Sequence, residues 1–241
     1  MKYILVTGAS NGIGRELAKQ ISNKDTIVIL VARRRDKLEL VKSELQGEGI
    51  VIPCDLTKNE DIASLFQVLK EKSIKLDGMV YCAGICFIKP IKVMGTDDLE
   101  RMFRVNVFGF YEMCRLFANR NVSSKGAVIV GVSSYAAATR ESGMSAYAMT
   151  KEAMNVQVQV LAKEFVKRKN RINTVMPANV MSKMACENNE WSEEEIAEVE
   201  SKQPLGVITM ESVAGVVQFL MSNAAKYITG ETIAISAGYH G

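Results

Sequence analysis

The chain has 241 residues, and its 30 lysines and arginines nearly cancel its 27 aspartates and glutamates, for a formal net charge of +3. That balance excludes a nucleic-acid binder built on a broad basic face, and the length suffices for one large domain with a substantial core. Five cysteines without a C-x-x-C pair point to free thiols in a reducing cytoplasm, and a single histidine, His240, leaves little material for a Ser-His-Asp triad or a histidine-rich zinc site.

The first predicted strand, Tyr3 to Thr7, runs into the turn TGASNGIG, with Gly8, Gly12 and Gly14. No signal-peptide pattern precedes it, and no apolar run approaches the length of a membrane span. A glycine-rich turn between a strand and a helix lets backbone pass close to a pyrophosphate, and the helix start offers it unpaired N–H groups. The spacing here is G-x-x-x-G-x-G, not the G-x-G-x-x-G of the standard dinucleotide fingerprint. The second strand, Thr26 to Ala32, ends on Arg33, Arg34 and Arg35. The third, Gly49 to Cys54, closes on Asp55, after which Thr57 to Glu60 reads as a capping box. The fourth, Gly78 to Gly84, carries Cys82; with Cys86 it is read as a buried thiol and not as a metal ligand.

A helical pattern around Leu99 to Asn119 contains Asn106, whose amide must find partners if it is buried. The fifth strand, Ala127 to Ser134, ends on two serines whose side chains point to opposite faces, so only one can address a given site. The stretch SAYAMTK then sets Tyr147 and Lys151 one helical turn apart, on one face, ahead of a helical pattern over Ala148 to Lys167. A cation beside a phenol favours the phenolate, although an isolated pair of this kind is ordinarily just a solvated helix face. The sixth strand, Arg171 to Pro177, precedes a polar stretch with a second capping box at Ser192 to Glu195, and Glu231 to Ala237 is the seventh strand. All seven strands are near-continuously apolar, as in strands buried on both faces, and they alternate with helical patterns. This predicts an α/β fold: a single Rossmann-type doubly wound domain over residues 1–241, about seven parallel strands with helices on both faces. Ligands of such sheets bind outside the carboxyl ends of the strands.

TGASNGIG, CAG, Asn106, VSS and YAMTK, in this order and spacing, resemble the short-chain dehydrogenase/reductase family, most of all its 3-oxoacyl-acyl-carrier-protein reductases. The similarity runs along essentially the whole chain, to PLG at Pro204 and ITGETI at Ile228. It implies a nicotinamide dinucleotide held by Gly8, Ser10, Asn11, Gly12, Ile13 and Gly14, by Asp55 at the adenine amino group with Leu56, and by Cys82, Ala83 and Gly84. Asn106, Tyr147, Lys151, Pro177, Val180 and Ser182 complete that set. It also implies a catalytic group of Asn106, Ser134, Tyr147 and Lys151: the phenol as proton donor, the lysine on the ribose hydroxyls, the asparagine in a water relay. Ser134, the second serine of VSS, is chosen over Ser133. Cys82 stands where the family has asparagine, and Ala178 and Ser182 where it has glycine and threonine. A methyl at Ala178 is costly if its φ must be positive. At the end of strand two, NAD-preferring enzymes place an acid on the ribose hydroxyls. Here Ala32 is neutral and Arg33, with Arg34 in reserve, can pair a 2′-phosphate, which predicts NADP(H).

The activity so implied is an NADPH-dependent carbonyl reductase acting on a small-molecule or carrier-bound ketone. Tyr147 protonates the oxygen as hydride reaches the carbon, and Ser134 polarises the same oxygen. The same chemistry on a sugar, steroid or secondary metabolite is the alternative; a non-catalytic nucleotide sensor is disfavoured by the presence of both Tyr147 and Lys151. A lid is expected near 184–203, with Met184 and Trp191 toward the substrate, and Glu193, Glu194 and Glu195 there weigh against an acidic carrier. Neither nucleic acid, membrane nor metal is expected as a partner. Phe108, Phe110, Tyr111, Val158 and Phe165 exceed what one sheet face needs and predict a homodimer or homotetramer.

Overall fold

The computed structural model describes residues 1–181 and 192–239. In chain order the elements are β1 Lys2–Thr7, α1 Gly12–Ile21, β2 Thr26–Ala32, α2 Arg35–Ser43, β3 Gly49–Pro53, α3 Asn59–Glu71 and β4 Leu76–Tyr81. Then come α4 Thr96–Phe103, a π-helical turn Arg104–Gly109, α5 Phe110–Phe117, β5 Ser123–Val132, α6 Ala136–Thr139 and α7 Ser145–Phe165. β6 Arg171–Pro177, α8 Glu193–Lys202, α9 Met210–Met221 and β7 Thr232–Ile235 close the series.

All seven strands lie parallel in one sheet, ordered β3-β2-β1-β4-β5-β6-β7. The period of two in a strand divides each apolar run between two cores. Leu5, Ile29 and Val31 face one side, where α3, α5 and α7 bring Phe66, Phe110, Phe117, Met154 and Val158. Ile4, Val6, Val28 and Leu30 face the other, against Leu17 of α1, Leu38 of α2 and Val217 of α9. The doubly wound architecture follows. Chain direction across the sheet reverses between β1 and β4, which opens the crevice at their carboxyl ends.

Several local expectations need correction. β4 stops at Tyr81 and β5 at Val132, short of Gly84 and Ser134, because those last residues leave the ladder to line the crevice. Thr57 does not cap α3, which begins at Asn59 after Lys58; its N–H and hydroxyl instead donate to Asp55 Oδ1 at 3.0 and 2.8 Å. Ser192 does form the reciprocal box with Glu195. Phe110, Val158 and Phe165 are core residues, while Phe108 and Tyr111 remain 49% and 53% exposed. Among the described residues no helix is long and apolar enough to cross a membrane.

Candidate active site

Parallel pairing brings the carboxyl ends of β2, β1 and β4 side by side, and short bonds lock their turns together. Ala9 N–H donates to Val31 O at 3.3 Å, and Ala83 N–H to the Thr7 hydroxyl at 3.2 Å. Gly8 takes φ +65°, and a Cβ there would lie 2.9 Å from Ala83 N. A Cβ on Gly14 would lie 2.5 Å from Gly8 O, so α1 can approach the turn this closely only without one. Asn11 precedes α1 in extended conformation without a side-chain cap, and the first turn holds no acid. The N–H groups of Gly12, Ile13 and Gly14 are thus left to an anion.

Arg33 is exposed, and its charge reaches Asp55. Burial opposes ionisation of Asp55, but the two Thr57 bonds with the Arg33 and Lys58 charges outweigh it and hold the carboxyl below its usual range. Both Thr57 bonds fall on Oδ1. Arg34 is also exposed, as the residue before α2, whereas Arg35 pairs with Glu39 at 3.5 Å on the helix surface. Leu56 and Val180 are each 7% exposed, their side chains in the two cores, so a cofactor contact from either falls to backbone. Ala178 has no left-handed φ, which removes the objection to its methyl. Ser182, Met184 and Trp191 lie outside the described residues; the part of the expected lid that is described, from Ser192, includes α8.

The chemical end is built by β5, β6 and α7. Ser133 is buried and donates to Lys151 O at 3.1 Å, which pins α7 to the strand, while Ser134 turns the other way, beside Tyr147. Tyr135 N–H donates to Pro177 O at 2.8 Å, tying this corner to β6. Lys151 is 3% exposed; its ammonium donates to Val132 O at 2.8 Å and lies 5.6 Å from the Tyr147 ring centre. An ammonium has three donors. With one given to Val132, the other two have no partner among the described residues, and Nζ lies beside Gly84, where an added Cβ would come within 3.4 Å of both Lys151 Nζ and Asn106 Oδ1. This cradle, with spare donors and no Cβ in the way, fits a ribose with two hydroxyls.

Asn106 sits fully buried in the π-helical turn. Its amide is satisfied not by a helix carbonyl but by Ile85: Oδ1 accepts from Ile85 N–H and Nδ2 donates to Ile85 O, both at 2.9 Å. Nδ2 also donates to Thr150 Oγ1 at 3.0 Å, and Thr150 donates to Tyr147 O at 2.8 Å. Thr150 and Ser133, absent from the sequence-derived set, thus hold the chain that carries Tyr147 and Lys151. Their one sequence signal was adjacency to the motif residues.

Burial dominates the electrostatics. It pushes Lys151 down to about 8, against the pull of the neighbouring Cys82 and Cys86 thiols. It raises the Tyr147 phenol, as does Cys86, with Ser134 opposing. In the protein alone the lysine therefore does not bring the phenol toward neutrality, contrary to the expectation from spacing. Burial also pushes the Cys82 thiol up to about 12 and Cys86 to about 11, so both stay protonated and small.

A family model described as enoyl-(acyl carrier protein) reductase matches residues 8–240. An NAD-dependent glycerol dehydrogenase of Listeria innocua is 26% identical over 239 residues, 99% of this chain and 93% of the relative. Among solved structures, a short-chain type dehydrogenase/reductase from Mycobacterium ulcerans superposes with TM-score 0.91 at 29% identity, covering 98% of this chain and 89% of that one. A 3-oxoacyl-[acyl-carrier protein] reductase from Brucella melitensis does so with TM-score 0.90 at 25% identity, covering 100% and 91%. The chain belongs to the short-chain dehydrogenase/reductase family, oxidoreductases that use a nicotinamide cofactor on CH–OH and C=O groups.

Proposed function

We propose that this protein is an NADPH-dependent carbonyl reductase of 3-oxoacyl-thioester type. The observation that carries the reading is the convergence of Ser134 and Tyr147 at the carboxyl end of β5, with a buried lysine behind them that keeps donors free. A bound nicotinamide supplies the hydride. Ser134 donates a hydrogen bond to the substrate oxygen as negative charge grows there, and Tyr147 gives that oxygen its proton. A phenol kept protonated by burial is in the right state for this donation. Lys151 anchors the ribose hydroxyls, and its charge stabilises the phenolate left behind. Water held at the Asn106 turn relays a proton to Lys151, with Asn106 positioning the chain and not itself exchanging a proton.

NADPH is favoured by Arg33, an exposed guanidinium beside Asp55 at the end of β2, where an acid would repel a 2′-phosphate. Replacing it as Arg33→Asp should reverse the NADPH/NADH preference in kcat/KM by roughly a hundredfold or more. An unchanged ratio would sink the assignment of the 2′-phosphate to Arg33.

The substrate is tested by initial rates with NADPH on an acetoacetyl thioester, a crotonyl thioester, a ketose and dihydroxyacetone. Acetoacetyl thioester should lead; a faster ketose or dihydroxyacetone would support the sugar alternative, since the three glutamates opening α8 weigh against an acidic carrier. A faster crotonyl thioester would mean reduction of C=C. We also propose that the chain self-associates through Phe108, Tyr111, Met149, Val156 and Val160, exposed by 49–53% on the π-helical turn, α5 and α7.

A further inference from the structure

Parallel strands collect amino-terminal ends at one edge of the sheet as surely as carboxyl ends at the other. At that far edge, about 20 Å along the strands from the crevice, lies an open cavity of about 720 Å³. It is lined by Lys2 at the start of β1, Lys125 early in β5, Lys169 and Arg171 at the start of β6, and Lys226 beyond α9. Asp77 is the one carboxylate among the lining residues, and its Oδ2 already accepts from Tyr3 N–H at 3.0 Å. The lining therefore carries a net of four positive charges, while the whole chain carries three. The molecule's entire surplus of positive charge is gathered in this one concavity.

The fold gives no local reason for the cluster. Among the described residues no carboxylate lies within ion-pair distance of any of the five cations. Four of them are exposed lysines brought together from distant parts of the sequence, where like charges repel. Arg171 is the exception in kind. It is 9% exposed and donates to Ile228 O at 3.2 Å and Ser222 O at 3.1 Å, so it is a fixed charge that also fastens the segment carrying Lys226 and Tyr227 to the floor. Tyr227 is 89% exposed, with Lys226 Nζ 4.8 Å from its ring centre.

We propose that this cavity is a second ligand site, separate from the crevice, that binds a small molecule bearing two or more phosphate charges. Lysine ammoniums bind phosphate as movable point charges, and the fixed Arg171 charge sets the centre around which they close. The volume falls in the range of small-molecule sites. The five cations line a concavity, and the whole chain's net charge is only +3, which favours a small anion over a nucleic acid or an acidic protein surface.

The test titrates tripolyphosphate into the NADPH-saturated protein by calorimetry, so that the phosphate sites of the crevice are already filled. Saturable binding at one site per chain is expected, weakening as salt rises. Lys125→Gln/Lys226→Gln, and independently Lys2→Gln/Lys169→Gln, should each weaken it roughly tenfold or more, with the melting temperature and the KM for NADPH unchanged. The control Lys70→Gln/Lys72→Gln, at the carboxyl end of α3, removes the same charge outside the lining residues and should leave binding as it was. Absence of saturable heat, or equal weakening by the control pair, would overturn the site. So would a short DNA duplex that binds more tightly than tripolyphosphate through the same lysines, since the ligand would then be a nucleic acid.

Discussion

Tyr147 and Lys151, the proposed catalytic pair, have their electrostatics set by burial as much as by spacing. Tyr147→Phe removes one oxygen from a ring that is otherwise held by packing, so it should lower kcat by about 10³ and leave NADPH affinity within about twofold. Single-turnover hydride transfer and fluorescence titration of NADPH separate the two, and a variant retaining most of its rate would remove the phenol from the mechanism. Lys151 makes a different prediction. Burial places its value in the fold at about 8, below the 10.5 of an unperturbed lysine. Between those limits the unfolded chain binds the proton more tightly than the folded one, so raising the pH relieves a penalty that is complete below about 8. In urea melts, wild type should therefore gain stability relative to Lys151→Met as pH climbs from 8 to 10.5, by ~3 kcal/mol in all. Burial holds the Cys82 thiol up at about 12 and Cys86 at about 11, so in the fold both stay protonated over most of this window with or without the lysine. A flat difference would mean that the ammonium is solvated.

At the scale of elements, the strands were legible because most are short apolar runs rich in β-branched residues, long enough for one strand and too short for a helix. Thr26–Ala32 and Arg171–Pro177 coincide with the observed bounds. The glycine turn was legible for a steric reason, and it can be tested as one. Gly14→Ala would set a methyl against the backbone of Gly8, at 2.5 Å from its oxygen and 2.8 Å from its carbon, where no side chain can yield. It should cost about 1–3 kcal/mol in urea unfolding and weaken NADPH binding, whereas a neutral result would show that α1 can withdraw from the sheet. Other features depend on residues far apart in the chain, and no local pattern announces them. Asn106 was expected within a helical pattern, its amide in need of partners. It lies in a π-helical turn where the Tyr81 hydroxyl donates to Val105 O at 2.5 Å, and its partners come from Ile85 and Thr150. Thr57 failed as a cap because its N–H and hydroxyl fold back onto Asp55 in a turn and the helix begins only at Asn59, after Lys58. The basic cavity was invisible for the same reason, since its lysines are scattered from Lys2 to Lys226 and meet only once parallel pairing aligns the strand starts.

For the whole molecule the open question of architecture is what covers α5 and α7. Met149, Val156 and Val160 follow helical spacing along one side of α7, and Phe108 with Tyr111 continues the apolar area onto the neighbouring π-helical turn and α5. Phe110, Val158 and Phe165, which the sequence grouped with them, point the other way into the core, so the outward stripe is narrower than expected but still continuous. In a monomer, glutamate at two of these exposed positions would cost little, because surface substitutions away from special features stay within about 0.5 kcal/mol. In a dimer closed over this face the same change buries unpaired carboxylates, at several kcal/mol each. Val156→Glu/Val160→Glu should therefore convert a wild-type dimer or tetramer to a smaller species at micromolar concentration, read by light scattering, with the sheet intact by circular dichroism. The consequence reaches the crevice, because α7 is also the helix that carries Tyr147 and Lys151. The dissociated variant should lose kcat more than NADPH affinity, since α1 and the glycine turn lie on elements that the stripe does not touch. A wild-type chain that scatters as a monomer would leave this face for another partner, and equal losses in kcat and NADPH affinity would show that association supports the whole fold, not α7 alone.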